Sequence, residues 1–137
     1  MKATKLVSNL IPIFFSFFIL LGEGQKVEKL TFRYGNFNIE TSSRVSCDNF
    51  ENFFSGSYKT VVIKDNNTLK EFADDLSHCK VSDSTKKIDV RLKVIITYHK
   101  KNNAVLCMDR FDNLILNNRS IIANQEILSF LRKQINK

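Results

Sequence analysis

Apolar and polar positions alternate most regularly over residues 88–122, and the rest of the chain reads as material packed against this stretch. Val90, Leu92, Val94, Ile96 and Tyr98 take every second position, opposite Arg91, Lys93, Ile95, Thr97 and His99. That period of two is the signature of a half-buried strand. Residues 100–103 read as a turn, residues 104–108 as the returning strand, and Leu114-Ile115-Leu116 as a third. Asn117-Asn118 is a further turn, because asparagine tolerates the left-handed conformation, and residues 119–122 pair back after it.

The pairing of the first two of these strands has two solutions. A two- or four-residue turn sets Ile96 opposite Cys107 and buries that cysteine. A three- or five-residue turn sets Ile96 opposite Leu106 and moves Cys107 to the other face, beside Ile95. Ala104, Leu106 and Met108 bury better than Val105, Cys107 and Asp109, which favours the second register. It creates an apolar strip of Ile95, Val105 and Cys107 among cations.

Upstream, Leu30, Phe32 and Tyr34 alternate with polar residues and end at Gly35, which predicts a strand. Residues 37–45 alternate again, so residues 34–37 are expected to turn a first hairpin. Ser46 is placed to cap a short helix through residue 54, whose Phe50, Phe53 and Phe54 share one face and read as core. Residues 58–63 predict another strand. Leu69, Phe72, Ala73 and Leu76 form the apolar stripe of a second helix, with an asparagine before it as cap. His78 and Cys79 end that helix, and residues 81–87 read as a loop. Asn124 caps a last helix with the stripe Ile127, Leu128, Leu131 and Ile135, and with Arg132, Lys133 and Lys137 at its cation-favouring end. Short turns between neighbouring strands imply antiparallel pairing. The expected fold is a two-layer α+β domain, a mostly antiparallel sheet of about five to seven strands with two or three helices on one face.

The N-terminus changes where this domain begins. Lys2 and Lys5 precede an apolar run of about 16 residues, shorter than the roughly 20 that cross a bilayer, and Gly22-Glu23-Gly24 follows it. This is the layout of a secretory signal cleaved after Gly24. The expectation is an exported protein, periplasmic or extracellular, with residues 25–137 as its single domain and no membrane span after cleavage.

The whole chain carries a formal charge of +7, and about +6 remains without Lys2, Lys5 and Glu23. An exported basic domain rarely meets nucleic acid, so an acidic protein or an anionic cell surface is the expected partner, and solubility alone also accounts for the charge. Cys47, Cys79 and Cys107 allow one disulfide and one unpaired thiol, with three possible pairings.

Chemistry finds little support in the sequence. His78 and His99 belong to no triad, HExxH motif or carboxylate pair. His78, Cys79, Cys107 and Asp109 match no zinc spacing, and no phosphate loop or nucleophile elbow occurs, so no cofactor is implied. Asn66-Asn67-Thr68 and Asn118-Arg119-Ser120 fit the N-glycosylation pattern. The leading expectation is a non-enzymatic exported binding, inhibitor or accessory protein that uses the face Arg91, Lys93, Ile95, Thr97 and His99. The alternatives are a small enzyme with a site assembled from dispersed residues, and a carrier that lines an apolar space with some of the chain's twelve phenylalanines.

Overall fold

The computed structural model describes residues 26–137; the expected signal segment lies outside the described residues. Seven antiparallel strands form one sheet: β1 (Val27–Tyr34), β2 (Lys59–Ile63), β3 (Lys80–Val81), β4 (Val90–Tyr98), β5 (Ala104–Asp109), β6 (Leu114–Leu116) and β7 (Arg119–Ile122). Their order across the sheet is β2-β1-β4-β5-β6-β7-β3. Among the described residues three helices accompany them: α1 (Phe50–Phe54), α2 (Asn66–Ser77) and α3 (Gln125–Ile135). The expected α+β architecture is present, with α2 and α3 on one face of the sheet. No helix among the described residues is long and apolar enough to cross a membrane.

The main core lies between the sheet and α2 and α3. Leu30 and Phe32 of β1, Leu92, Val94 and Ile96 of β4, and Leu106 and Met108 of β5 point into it. Leu69 and Phe72 come down from α2, and Ile127, Phe130 and Leu131 from α3. Phe130 sits between Phe32 and Phe72, with ring centroids 6.4 and 5.4 Å away. Each large side chain buried in this way contributes roughly 1.5–3 kcal/mol. Both helices start where a side chain meets an orphan amide: the Asp65 carboxylate accepts from Thr68 N–H at 2.9 Å, and Asn124 Oδ1 accepts from Ile127 N–H at 2.8 Å. The cap of α2 is therefore Asp65, one residue before the asparagines expected to serve. Asn124 also donates through Nδ2 to the Asp75 carbonyl at 3.1 Å, which ties the start of α3 to α2.

Three expectations are corrected. Residues 37–45 form no strand, and β1 has no hairpin partner there. Gly35 N–H donates to the Arg91 carbonyl at 2.9 Å, and the Asn36 side chain then accepts from Asn38 N–H and turns the chain away. A Cβ on Gly35 would lie 3.2 Å from the Phe54 ring, so any larger residue here would require that ring to shift. Residues 36–49 cross instead to the second face of the sheet. The loop expected at residues 81–87 begins with β3, whose Val81 lies opposite Ile121. A two-residue strand is too short to show any alternation.

The β4–β5 register is the third correction. Ile96 lies opposite Ala104, Ile95 opposite Val105 and Lys93 opposite Cys107. The favoured register had the faces right and the pairing two residues out. A slip of two preserves which side each residue faces, whereas a slip of one inverts it. The connection is longer than expected because β4 continues past the end of β5, with Tyr98 pairing to Val27 of β1.

Candidate binding face

The second face of the sheet holds the residues expected to meet a partner, and residues 36–49 together with α1 divide it into a covered end and an open end. At the covered end Val45, Phe50, Ile88, Val90 and Cys107 form a second, smaller core, with Phe53, Phe54 and Tyr58 packed around it. Of the three phenylalanines of α1 expected in the core, Phe50 is fully buried and Phe53 and Phe54 are half-buried against it, on the opposite side of the sheet from α2 and α3. Phe50 lies 4.9 Å from Phe54 and 5.6 Å from Tyr58 between ring centroids. Phe32, Phe72 and Phe130 on one face, and Phe50, Phe53 and Phe54 on the other, pack against one another.

Cys47 and Cys107 are joined in a disulfide with Cα atoms 6.0 Å apart, and Cys79 is free. Cys79 lies at the edge of the main core, with Sγ 3.7 Å from the Asp75 carbonyl. His78, Cys79, Cys107 and Asp109 are therefore not brought together. Among the described residues no group of three or more His, Cys, Asp or Glu is arranged to hold a metal ion. Asp109 has another task. Its carboxylate accepts from the N–H groups of Phe111 and Asn113 and from the Asn113 amide, each at 2.9 Å, and shapes the β5–β6 turn.

The two cations at the head of the expected face are consumed internally. Arg91, expected to be exposed, is 1% exposed. Its guanidinium makes a two-pronged ion pair with Asp89, with both contacts at 2.9 Å, and donates to the carbonyls of Val90 and Ile39 at 3.1 and 3.0 Å. Strand alternation places Arg91 on the second face, but it also groups Val90 with Leu92, whereas a pairing irregularity between the two turns Val90 into the second core, and it carries no information about the segment lying over that face. Asp89 also accepts from Val45 N–H at 2.8 Å, so the pair clasps the crossing segment at both Ile39 and Val45. Partial burial pushes the Asp89 carboxyl up. The hydrogen bonds from Arg91 and Val45 and the charges of Arg91 and Arg110 outweigh it and hold the group below its ordinary range.

Lys93 donates to Glu51 at 3.0 Å and to the Cys47 carbonyl at 2.9 Å, and Arg33 reaches the same glutamate at 2.8 Å. Glu51 is thus held by two cations. Burial raises its pKa, but the hydrogen bonds from Lys93, its own backbone N–H and Arg33, with the Lys93 charge, lower it further than burial raises it. These contacts fix α1 against β1 and β4.

The open end begins one row further along the strands. Val62 of β2 lies opposite Thr31 of β1, Thr31 opposite Ile95 of β4, and Ile95 opposite Val105 of β5, so four side chains form one continuous row. With strands about 4.8 Å apart, such a row spans roughly 14 Å. Val62 is 51% exposed, and Ile95 and Val105 are half-buried. Ile95 belongs to neither core. Thr97 lies opposite Lys29 in the next row. His99 is exposed and meets Glu28 at 2.5 Å, while His78 is exposed at the end of α2.

The five expected residues thus part company: Arg91 and Lys93 belong to the clamp, Ile95 and Thr97 to the open row and its flank, and His99 to the rim. Val62 and Thr31 were missed because they come from strands distant in sequence: the pairing of β1 with β4 sets Thr31 beside Ile95, and that of β2 with β1 adds Val62 to the row. The chain matches no family model, no curated protein and no solved structure.

Proposed function

We propose that this protein is an exported, non-enzymatic binding protein whose partner docks on the row Val62–Thr31–Ile95–Val105, flanked by Lys29, Thr97 and His99. The observation that supports this most is the division of the second face. Two cations and a disulfide hold α1 over one end, while a row across four strands, with Val62 and Ile95 outside both cores and Val105 at the border of the second, stays open at the other. A sheet face that borders solvent ordinarily alternates to polar side chains, and Val62 and Ile95 break that rule together. Export is supported by the basic, apolar and small-residue layout of the N-terminus and by the Cys47–Cys107 disulfide, a bond that persists in oxidising compartments. An acidic protein surface suits the net charge, with Lys29 beside the row as its nearest contact.

The test is capture by the immobilised, disulfide-bonded chain beginning at Gln25. An acidic partner should be retained at low salt and weakened at high salt. Ile95→Asp and Val62→Asp should abolish capture without unfolding the domain, because neither residue lies in a core. Unchanged capture by both variants would show that the partner docks elsewhere.

A further inference from the structure

Three cations without a salt bridge among the described residues, Arg44, Lys86 and Lys87, line one small cavity at a different place on the second face, and the geometry points to a pocket there for a single tetrahedral oxyanion, a phosphate or a sulfate. The cavity has a volume of about 130 Å³ and is lined by Arg44, Lys86, Lys87, Asp48 and Asn118 over an apolar floor that includes Ile115. Arg44, Lys86 and Lys87 form no salt bridge among the described residues, in contrast to Arg33, Arg91 and Lys93. Three positive side chains facing one small cavity against one carboxylate leave a local excess of two charges. Arg and Lys are the side chains that bind such anions, through charge-assisted hydrogen bonds.

The three lining segments are distant in sequence but locked together before any ligand arrives. Val90 N–H donates to the Val45 carbonyl at 2.8 Å, and Val45 N–H to Asp89 at 2.8 Å. The disulfide joins Cys47 to Cys107, whose strand neighbour is Ile115. Lys86 N–H donates to Ser120 Oγ at 2.9 Å, which fixes the far wall. A pocket held open in this way does not spend binding energy on ordering its walls. A cavity of this volume accommodates one oxyanion group, as a free ion or as the anionic end of a monoester. This site is independent of the open row proposed above, which lies on the other side of α1's attachment at Lys93.

The experiment titrates the isotopically labelled, disulfide-bonded chain with sodium sulfate and with sodium phosphate, holding ionic strength constant with chloride, and follows backbone amide shifts. Saturable shifts confined to the amides around Arg44, Asp48, Lys87 and Asn118 are expected, with dissociation constants of order millimolar. The double variant Lys86→Gln/Lys87→Gln should weaken binding at least tenfold, and Asp48→Asn should strengthen it a few-fold. All three positions are exposed, so the variants should keep the native spectrum. Tighter binding of glucose 6-sulfate than of sulfate would identify an ester as the source, and the reverse a free ion. Non-saturating shifts, equal shifts in the double variant, or equal binding of acetate would each overturn the assignment.

Discussion

Arg91 and Asp89 form an ion pair whose two members see different environments: the arginine side chain is 1% exposed and the aspartate 40%. Removing one partner therefore costs far more than removing the other. Asp89→Asn strands a buried guanidinium without its counter-charge, a loss of roughly 3–5 kcal/mol. Arg91→Met leaves a carboxylate that water still reaches and that keeps its Val45 N–H bond, but it takes the donor from the Ile39 and Val90 carbonyls, and should cost about 1–2 kcal/mol. Urea unfolding of the two variants checks the order. Equal losses would show that the asymmetry in burial has no energetic weight.

The disulfide closes a long loop, with Cys47 and Cys107 separated by 60 positions. Constraining the unfolded chain over that length is worth about 4 kcal/mol. Reduction should lower stability by close to that amount and release α1 first, leaving the Glu51 ion pairs, the Lys93 bond to the Cys47 carbonyl and the packing of Phe50 to hold it. Alkylation of the unfolded, unreduced protein should add one group, on Cys79, and alkylation after reduction three. Intact mass reads both.

Stability should fall on acidification. Glu51 and Asp89 have folded pKa values below their ordinary 4.5 and 3.8, so their contribution is complete above those values and is lost as pH falls through the lower folded ones. Asp75 acts with the opposite sign. Burial and the charges of Glu71, Asp74 and Glu126 raise it, against a smaller lowering by His78, so protonation relieves a strain present at neutral pH. Asp75→Asn should therefore be more stable than the parent at pH 7 and show a steeper acid limb, whereas Glu51→Gln should flatten that limb. Urea midpoints measured between pH 3 and 7 distinguish these slopes.

Much of the fold could be read from the pattern of side chains. The alternation at Val90–Tyr98 placed β4 within the sheet, and the stripes of α2 and α3 named most of the residues they bury. The path of residues 36–49 was not readable. Their alternation, Phe37, Ile39, then Val45, imitates a strand, yet Val45 is buried against Phe50 and Ile88 while Ile39 is 49% exposed. The pattern records which residues are apolar and not which surface receives them. The candidate face was half legible for the same reason. Alternation identified the side on which Arg91, Lys93, Ile95 and Thr97 lie, but the carboxylates that neutralise the first two come from Asp89 and from Glu51, 42 positions away from Lys93.

Register ties these conclusions together, because the open row exists only if Ile95 faces Val105. The two shorter turns considered for the β4–β5 connection would set Ile95 opposite other residues, and the register with Ile96 opposite Leu106 would pair it with Cys107 itself. Cysteines introduced at directly opposed strand positions fall within the 4.4–6.8 Å Cα separation that a disulfide spans. In a Cys79→Ser background, Ile95→Cys/Val105→Cys should therefore form a second disulfide under mild oxidation while Cys47–Cys107 remains intact. Both positions are half-buried and lie outside the main core, so the bridge should cost less than about 1 kcal/mol in packing. Peptide mapping after digestion should recover the 95–105 cross-link. Recovery of a 95–107 cross-link, or two free thiols with the native disulfide intact, would break the row and remove the surface proposed for the partner.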